Sequence, residues 1–118
     1  MKPELVLLDI PSDWNVIWNN FTQVEPEKFM TEDYIYLWEF QEDIFYFKNE
    51  EKRRILDLGW YPELRPEGMY RLVLIKINEQ EEISEDWENP IISYSSININ
   101  ELQIKINWIL NEVSQGRV

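Results

Sequence analysis

The chain has 118 residues, 23 acidic against 11 basic, with a formal net charge of −12 and neither histidine nor cysteine. These absences exclude disulfides, Ser-His and Cys-His nucleophilic chemistry and the common zinc sites. So acidic a surface argues against a binder of nucleic acid or of anionic membranes, both of which need basic residues against phosphates, and it suits a basic partner. Acidity also serves solubility alone.

The length fits a single domain over residues 1–118 with one core, and the hydrophobic content of 44% argues against disorder. The N-terminal run MKPELVLLDIPSDW is too short and too acidic for a signal peptide, and no run approaches the roughly 18 apolar residues of a membrane span. A cytoplasmic protein is therefore expected.

Residues 5–10 are an apolar run ended by Pro11 and predict a first strand. Residues 12–21 can be read two ways. Ser12 or Asp13 can cap a short helix, but Trp14, Val16 and Trp18 alternate with Asn15, Ile17 and Asn19, and we read a strand. Residues 22–33, with Pro26, Glu25, Glu27, Glu32 and Asp33, predict an exposed connection from which Phe29 and Met30 can turn inward. Residues 34–40 set Tyr34, Tyr36, Trp38 and Phe40 against Ile35, Leu37 and Glu39, which predicts a strand. Gln41-Glu42-Asp43 then becomes a tight hairpin turn into a strand over 44–48, followed by a charged turn at 49–53.

The next stretch, 54–77, commits itself most clearly. In one strand Ile55 and Asp57 face away from Leu56, Leu58 and Trp60, with Gly59 where a bulge or close backbone approach is tolerated. Pro62, Pro66 and Gly68, with its freedom to take positive φ, make 61–68 a loop. From Met69 to Ile77, Tyr70, Leu72 and Leu74 oppose Met69, Val73, Ile75 and Ile77, so both faces are apolar and the strand is central. These strands make a meander. Residues 78–89 turn polar, and Pro90 opens a short strand over 90–95.

The last element is a helix. Asn98 and Glu101 have capping-box spacing, Leu102, Ile106, Ile109 and Val113 form one stripe, and Gly116 can end it. Ile104 and Trp108 lie roughly 200–240° round from Leu102 at 3.6 residues per turn. They point away from that stripe and need a cover, either a loop such as the N-terminal connection or another molecule. The fold class is α+β, an antiparallel sheet of about five or six strands covered on one face by this helix.

Three scattered glycines cannot build a phosphate-cradling loop, and no cofactor or metal is implied. Carboxylate pairs, Glu42 with Asp43, Glu81 with Glu82, Glu85 with Asp86, are the only material for an enzyme, through a hard cation or glycoside cleavage. They lack the Asp-x-Asp-x-Asp-Gly calcium pattern, and we read them as solvated charge and the protein as no enzyme. The most suggestive feature is the acidic loop Glu79, Glu81, Glu82, Glu85, Asp86 and Glu88 around Trp87. Its charges can steer a basic partner while the indole anchors it; equally, Trp87 can dock onto the sheet while the acids face water. Trp60 and Tyr61 read as core.

The runs LDLGWYPELRPEGMYRLVLIK (56–76), WENPIISYSS (87–96) and WNVIWNNFTQVEP (14–26), with the C-terminal amphipathic helix, resemble small acidic immunity proteins of low-GC bacteria, partners of polymorphic or contact-dependent toxins. The resemblance implies a class and carries over no site residue. It implies a cytoplasmic protein that binds and neutralises a cognate toxin domain, a basic nuclease, and the charge of the chain adds the expectation that Glu79 to Glu88, with help from Glu42 and Asp43, steer the encounter. The other reading is an adaptor that self-assembles, for example as a homodimer, or binds a host protein through Ile104 and Trp108.

Overall fold

The computed structural model describes residues 3–31, 33–78 and 87–118. Five antiparallel strands, β1 (Asn15–Asn19), β2 (Phe45–Asn49), β3 (Arg54–Tyr61), β4 (Met69–Lys76) and β5 (Ile92–Ser96), form one sheet in the order β1-β2-β3-β4-β5. A short helix, α1 (Pro26–Thr31), precedes β2, and the long helix α2 (Ile99–Ser114) follows β5. The chain is thus an α+β meander with a C-terminal helix.

The period-two pattern of β3 and β4 sorts their side chains between two faces. Leu56, Leu58 and Trp60 pair across the ladder with Leu74, Leu72 and Tyr70, and all six are buried in one core cluster with Leu102, Ile106, Ile109, Leu110 and Val113 of α2. On the other face Ile55, Ile75 and Ile77 form a smaller cluster with Tyr46 against it. β4 is therefore apolar on both sides because it is interior, as its sequence predicts.

Three expected features differ. Residues 5–10 form no strand. Leu5 makes a single bridge to Thr22, and the segment then runs along α2, where the Gln103 side-chain amide donates to the Leu7 carbonyl (2.6 Å) and the Asp9 N–H to Asn107 Oδ1 (2.9 Å). Val6 N–H still meets the Phe21 carbonyl, but from Leu7 onward helix side chains take the place of a neighbouring strand. Residues 22–33 are not merely a connection, since α1 forms there and buries Phe29, while the side chain of Met30 lies outside the described residues.

Residues 34–40 are the third. Leu37–Glu39 is a turn of 3-10 helix and not a strand. Phe40 stacks on Phe29 at 4.4 Å and meets Trp60 edge-on at 4.6 Å, so the aromatic alternation serves a three-dimensional cluster, while Ile35 and Trp38 stay exposed. Packing overrides strand propensity here. Phe40 also holds the 61–68 loop, its carbonyl accepting from Leu64 N–H at 2.8 Å. Gly68 does not adopt positive φ. A Cβ there would lie 2.5 Å from the Trp60 indole nitrogen, so the glycine leaves room for the ring, whose N–H donates to the Arg65 carbonyl (2.8 Å).

Helix α2 is held at both ends. Asn98 Oδ1 accepts from Glu101 N–H (3.0 Å), and the reciprocal half of the capping box is relayed, with Asn98 N–H donating to Ser96 Oγ and that hydroxyl donating to Glu101 Oε2. At the other end Gly116 takes φ +75°, its N–H meeting the Val113 carbonyl and Arg117 N–H the Glu112 carbonyl, a complete Schellman motif. A polar clamp fixes the helix to the sheet: Asp13 accepts from Ser114 Oγ (2.7 Å) and from the buried Asn49 amide (2.8 Å). Burial opposes ionisation of Asp13, but these two bonds, with Lys52 nearby, outweigh it and hold its carboxyl below the ordinary carboxylate value.

Candidate partner-binding face

One face of the sheet carries α2. On the other, the register aligns Trp18, Tyr46, Asp57, Val73 and Ser93 in a row across all five strands. Trp18 stacks on Tyr46 with ring centroids 5.0 Å apart, and both rings remain partly open to solvent. Asp57 is the one acidic residue in β3, and its strand position turns it onto this half-buried face. Burial, then the nearby charge of Asp43, push its carboxyl up to about 6, against the opposing pull of Arg71 on β4.

Beside it, Glu42 and Asp43 occupy a place that a tight hairpin turn cannot explain. Trp60 N–H donates to the Gln41 carbonyl and Ile44 N–H to the Leu58 carbonyl, so Gln41 and Ile44 both pair with β3 and the two acids bulge between them. Gly59 permits this. A Cβ on it would stand 2.0 Å from the Glu42 carbonyl oxygen, so only glycine lets the bulge lie down. The expected turn at 41–43 is thereby corrected to a bulge, because residues 34–40 supply no strand to turn from. Both acids are exposed, and their charges, after burial and after that of Asp57, help raise the Tyr61 hydroxyl above its ordinary value.

Trp87 reaches this same neighbourhood. It lines, with Asp57, Tyr61, Arg71 and Val73, a cleft of about 130 Å³ on the helix-free face. Trp87 is 41% exposed, so it borders the cleft and remains partly open to solvent. Glu88 beside it is exposed, whereas Glu79, Glu81, Glu82, Glu85 and Asp86 lie outside the described residues. Of the site residues expected from sequence, Glu42, Asp43 and Trp87 are thus gathered at one end of one face.

Comparison with protein-family models, with curated proteins and with solved structures finds no match. The chemistry of the face is read from its own residues. Among the described residues no group of three or more carboxylates comes together to hold a metal ion, and no helix is long and apolar enough to cross a membrane. What the face offers is an array of aromatic rings around a cleft with one carboxylate, Asp57, and one guanidinium, Arg71, beside which stand the charges of Glu42 and Asp43.

Sequence reasoning missed Asp57, Tyr61, Arg71, Trp18 and Tyr46 as members of this face. Trp60 is core as expected, but Tyr61, also read as core, is partly open because the next residue along a strand turns to the opposite face. One signal was available for Asp57: a single acid between Leu56 and Leu58 in an otherwise apolar central strand.

The second candidate surface lies on α2. Ile104 is 71% and Trp108 46% exposed, and the N-terminal segment, tied instead to Gln103 and Asn107, does not cover them. With Tyr94, Glu101 and Lys105 they line an open groove of about 500 Å³. The Lys105 ammonium stands 4.7 Å from the Trp108 ring centroid and 5.6 Å from that of Tyr94. A cation already occupies part of this aromatic surface.

Proposed function

We propose that this chain is an immunity protein, a stoichiometric inhibitor that binds a cognate toxin domain in the bacterial cytoplasm and does no chemistry of its own. The partner of best fit is a basic nuclease. A surface built to hold phosphates is positively charged, and an acidic protein can occupy it in place of nucleic acid. The observation that carries this reading is the convergence of Glu42, Asp43, Asp57, Tyr61 and Trp87 on the helix-free face of a protein of net charge −12. Carboxylates steer the encounter and aromatic rings anchor the docked state. The acids from Glu79 to Glu88 belong to the same steering field.

Affinity capture of the tagged protein from its host, washed at low and at high salt, tests this. The expected result is one basic polypeptide in near-equal amount, retained at high salt and toxic when expressed without this protein. If nothing basic is retained, or the retained protein is harmless, the immunity reading fails.

An adaptor that assembles through α2 is the second reading, supported by the exposure of Ile104 and Trp108. Light scattering on the Ile104→Gln, Trp108→Gln double variant tests it. A smaller assembly with folding retained supports the adaptor, and an unchanged mass removes its main support.

A further inference from the structure

The cleft bounded by Asp57, Tyr61, Arg71, Val73 and Trp87 asks for a specific occupant. Its volume of about 130 Å³ is roughly that of four waters in the liquid, far below the several hundred Å³ of small-molecule pockets. A single side-chain end fits it. Its lining combines the acid Asp57, the base Arg71, the aliphatic Val73 and the two aromatic residues Tyr61 and Trp87. Among the described residues no hydrogen-bond donor meets the Asp57 carboxylate, and Arg71 acts on it through charge alone.

The sign of the local field follows from the same residues. Asp57, Asp43 and Glu42 act together here against the one guanidinium of Arg71, so the cleft remains negative with Arg71 in place. An apolar side chain would bury Asp57 further with nothing to compensate it, and an anion would be repelled. A cation gains from the carboxylate, and its hydrocarbon stem or planar head gains from Tyr61 and Trp87.

We propose that this cleft receives one lysine or arginine side chain of a protein partner, its charged head on the Asp57 carboxylate and its stem between Tyr61 and Trp87. As to who supplies the side chain, the proposal rests on the toxin-binding reading; as to what the cleft selects, it stands on the cleft itself. Asp57 is then the desolvated anchor at the centre of the interface, while Glu42 and Asp43 act from its rim.

The test uses the full-length, isotopically labelled protein titrated with three capped amino acids, N-acetyl-lysine methylamide, the arginine analogue and the neutral norleucine analogue, at constant ionic strength. Movement of the Trp87 indole N–H and the Val73 backbone resonances is followed. The cationic probes are expected to give a saturable shift with an affinity at least about tenfold above that of norleucine. Asp57→Asn, checked for unchanged resonances on the α2 side of the sheet, is expected to reduce the response to the norleucine level. Trp87→Leu, which leaves the carboxylate in place, is expected to weaken it by a smaller factor. An equal response to norleucine, no response to either cation, or a cation response undiminished in Asp57→Asn overturns the proposal. The two readings fail separately. Saturable cation binding by a protein that captures no basic polypeptide supports the cleft and sinks the toxin partner. Capture of that polypeptide with equal strength by wild type and Asp57→Asn keeps the partner and overturns the cleft as its anchor.

Discussion

Replacing Asp57 by asparagine keeps the shape of the side chain and removes a charge that folding places in a poor environment. Burial, reinforced by Asp43 and only partly offset by Arg71, lifts the carboxyl from its ordinary value of 3.8 to about 6. At about 1.36 kcal/mol per pH unit, that difference has a ceiling of about 3 kcal/mol. The side chain is only half-buried, and solvent screening brings the expected figure down to about 1.5 kcal/mol. The sign follows from proton binding. Between the two values the folded chain holds a proton that the unfolded chain has released, so wild-type stability falls as pH rises through this window and levels above it. Asparagine has no such dependence. The variant should match the wild type near pH 4 and exceed it by about 1.5 kcal/mol at pH 7, while contributions from Asp13 and the other acids are common to both proteins and cancel. Urea unfolding of both proteins at pH 4, 5.5 and 7 measures this directly. A difference independent of pH would refute the reasoning, as would a wild type more stable at pH 7, which would mean that Arg71 outweighs burial.

Gly59→Ala forces a Cβ into the Glu42 carbonyl, and we expect a loss of about 3 kcal/mol in denaturant unfolding, with Trp60 fluorescence disturbed in the folded state. Asp13→Ala removes two hydrogen bonds to a carboxylate and strands the buried Asn49 amide, for an expected loss of about 2 kcal/mol. Because the Asp13 carboxyl sits below its ordinary value, this contribution is present near neutrality and fades as pH falls through the lowered value, which unfolding midpoints at pH 7 and 3 will show. Neutral isosteres at Glu81, Glu82, Glu85 and Asp86 should slow association with the captured partner about tenfold at low salt and leave dissociation nearly unchanged, as stopped-flow mixing can resolve. Unchanged association would place the steering charges elsewhere.

The strands and helix that carry the core were legible because each satisfies a local rule that nothing else in the chain contradicts. Asn98, the Leu102 to Val113 stripe and Gly116 announce α2, and the Met69 to Ile77 alternation announces an interior strand. The misreadings fall where a local pattern had two uses. Residues 34–40 alternate like a strand, but Phe40 finds Phe29 and Trp60, and the polar run Gln41-Glu42-Asp43 becomes a bulge where a turn was expected. Residues 5–10 are apolar like a strand, yet after the backbone contacts of Leu5 and Val6 with Thr22 and Phe21, Leu7 and Asp9 find their backbone partners in side chains on α2, 98 residues away in one case.

Composition and period determined that this chain is acidic, lacks thiol and imidazole chemistry, and folds as an antiparallel sheet with one helix laid across it. These are sums over residues or repeats along a strand or helix, and need no knowledge of what lies opposite. Only the tertiary structure decided which residues share the helix-free face. Register and the Gly59 bulge bring Trp18, Glu42, Asp43, Asp57 and Trp87 from four parts of the chain to one surface. The physical reason is that side-chain direction is a local property, whereas proximity depends on which strands pair and by how many residues they are offset.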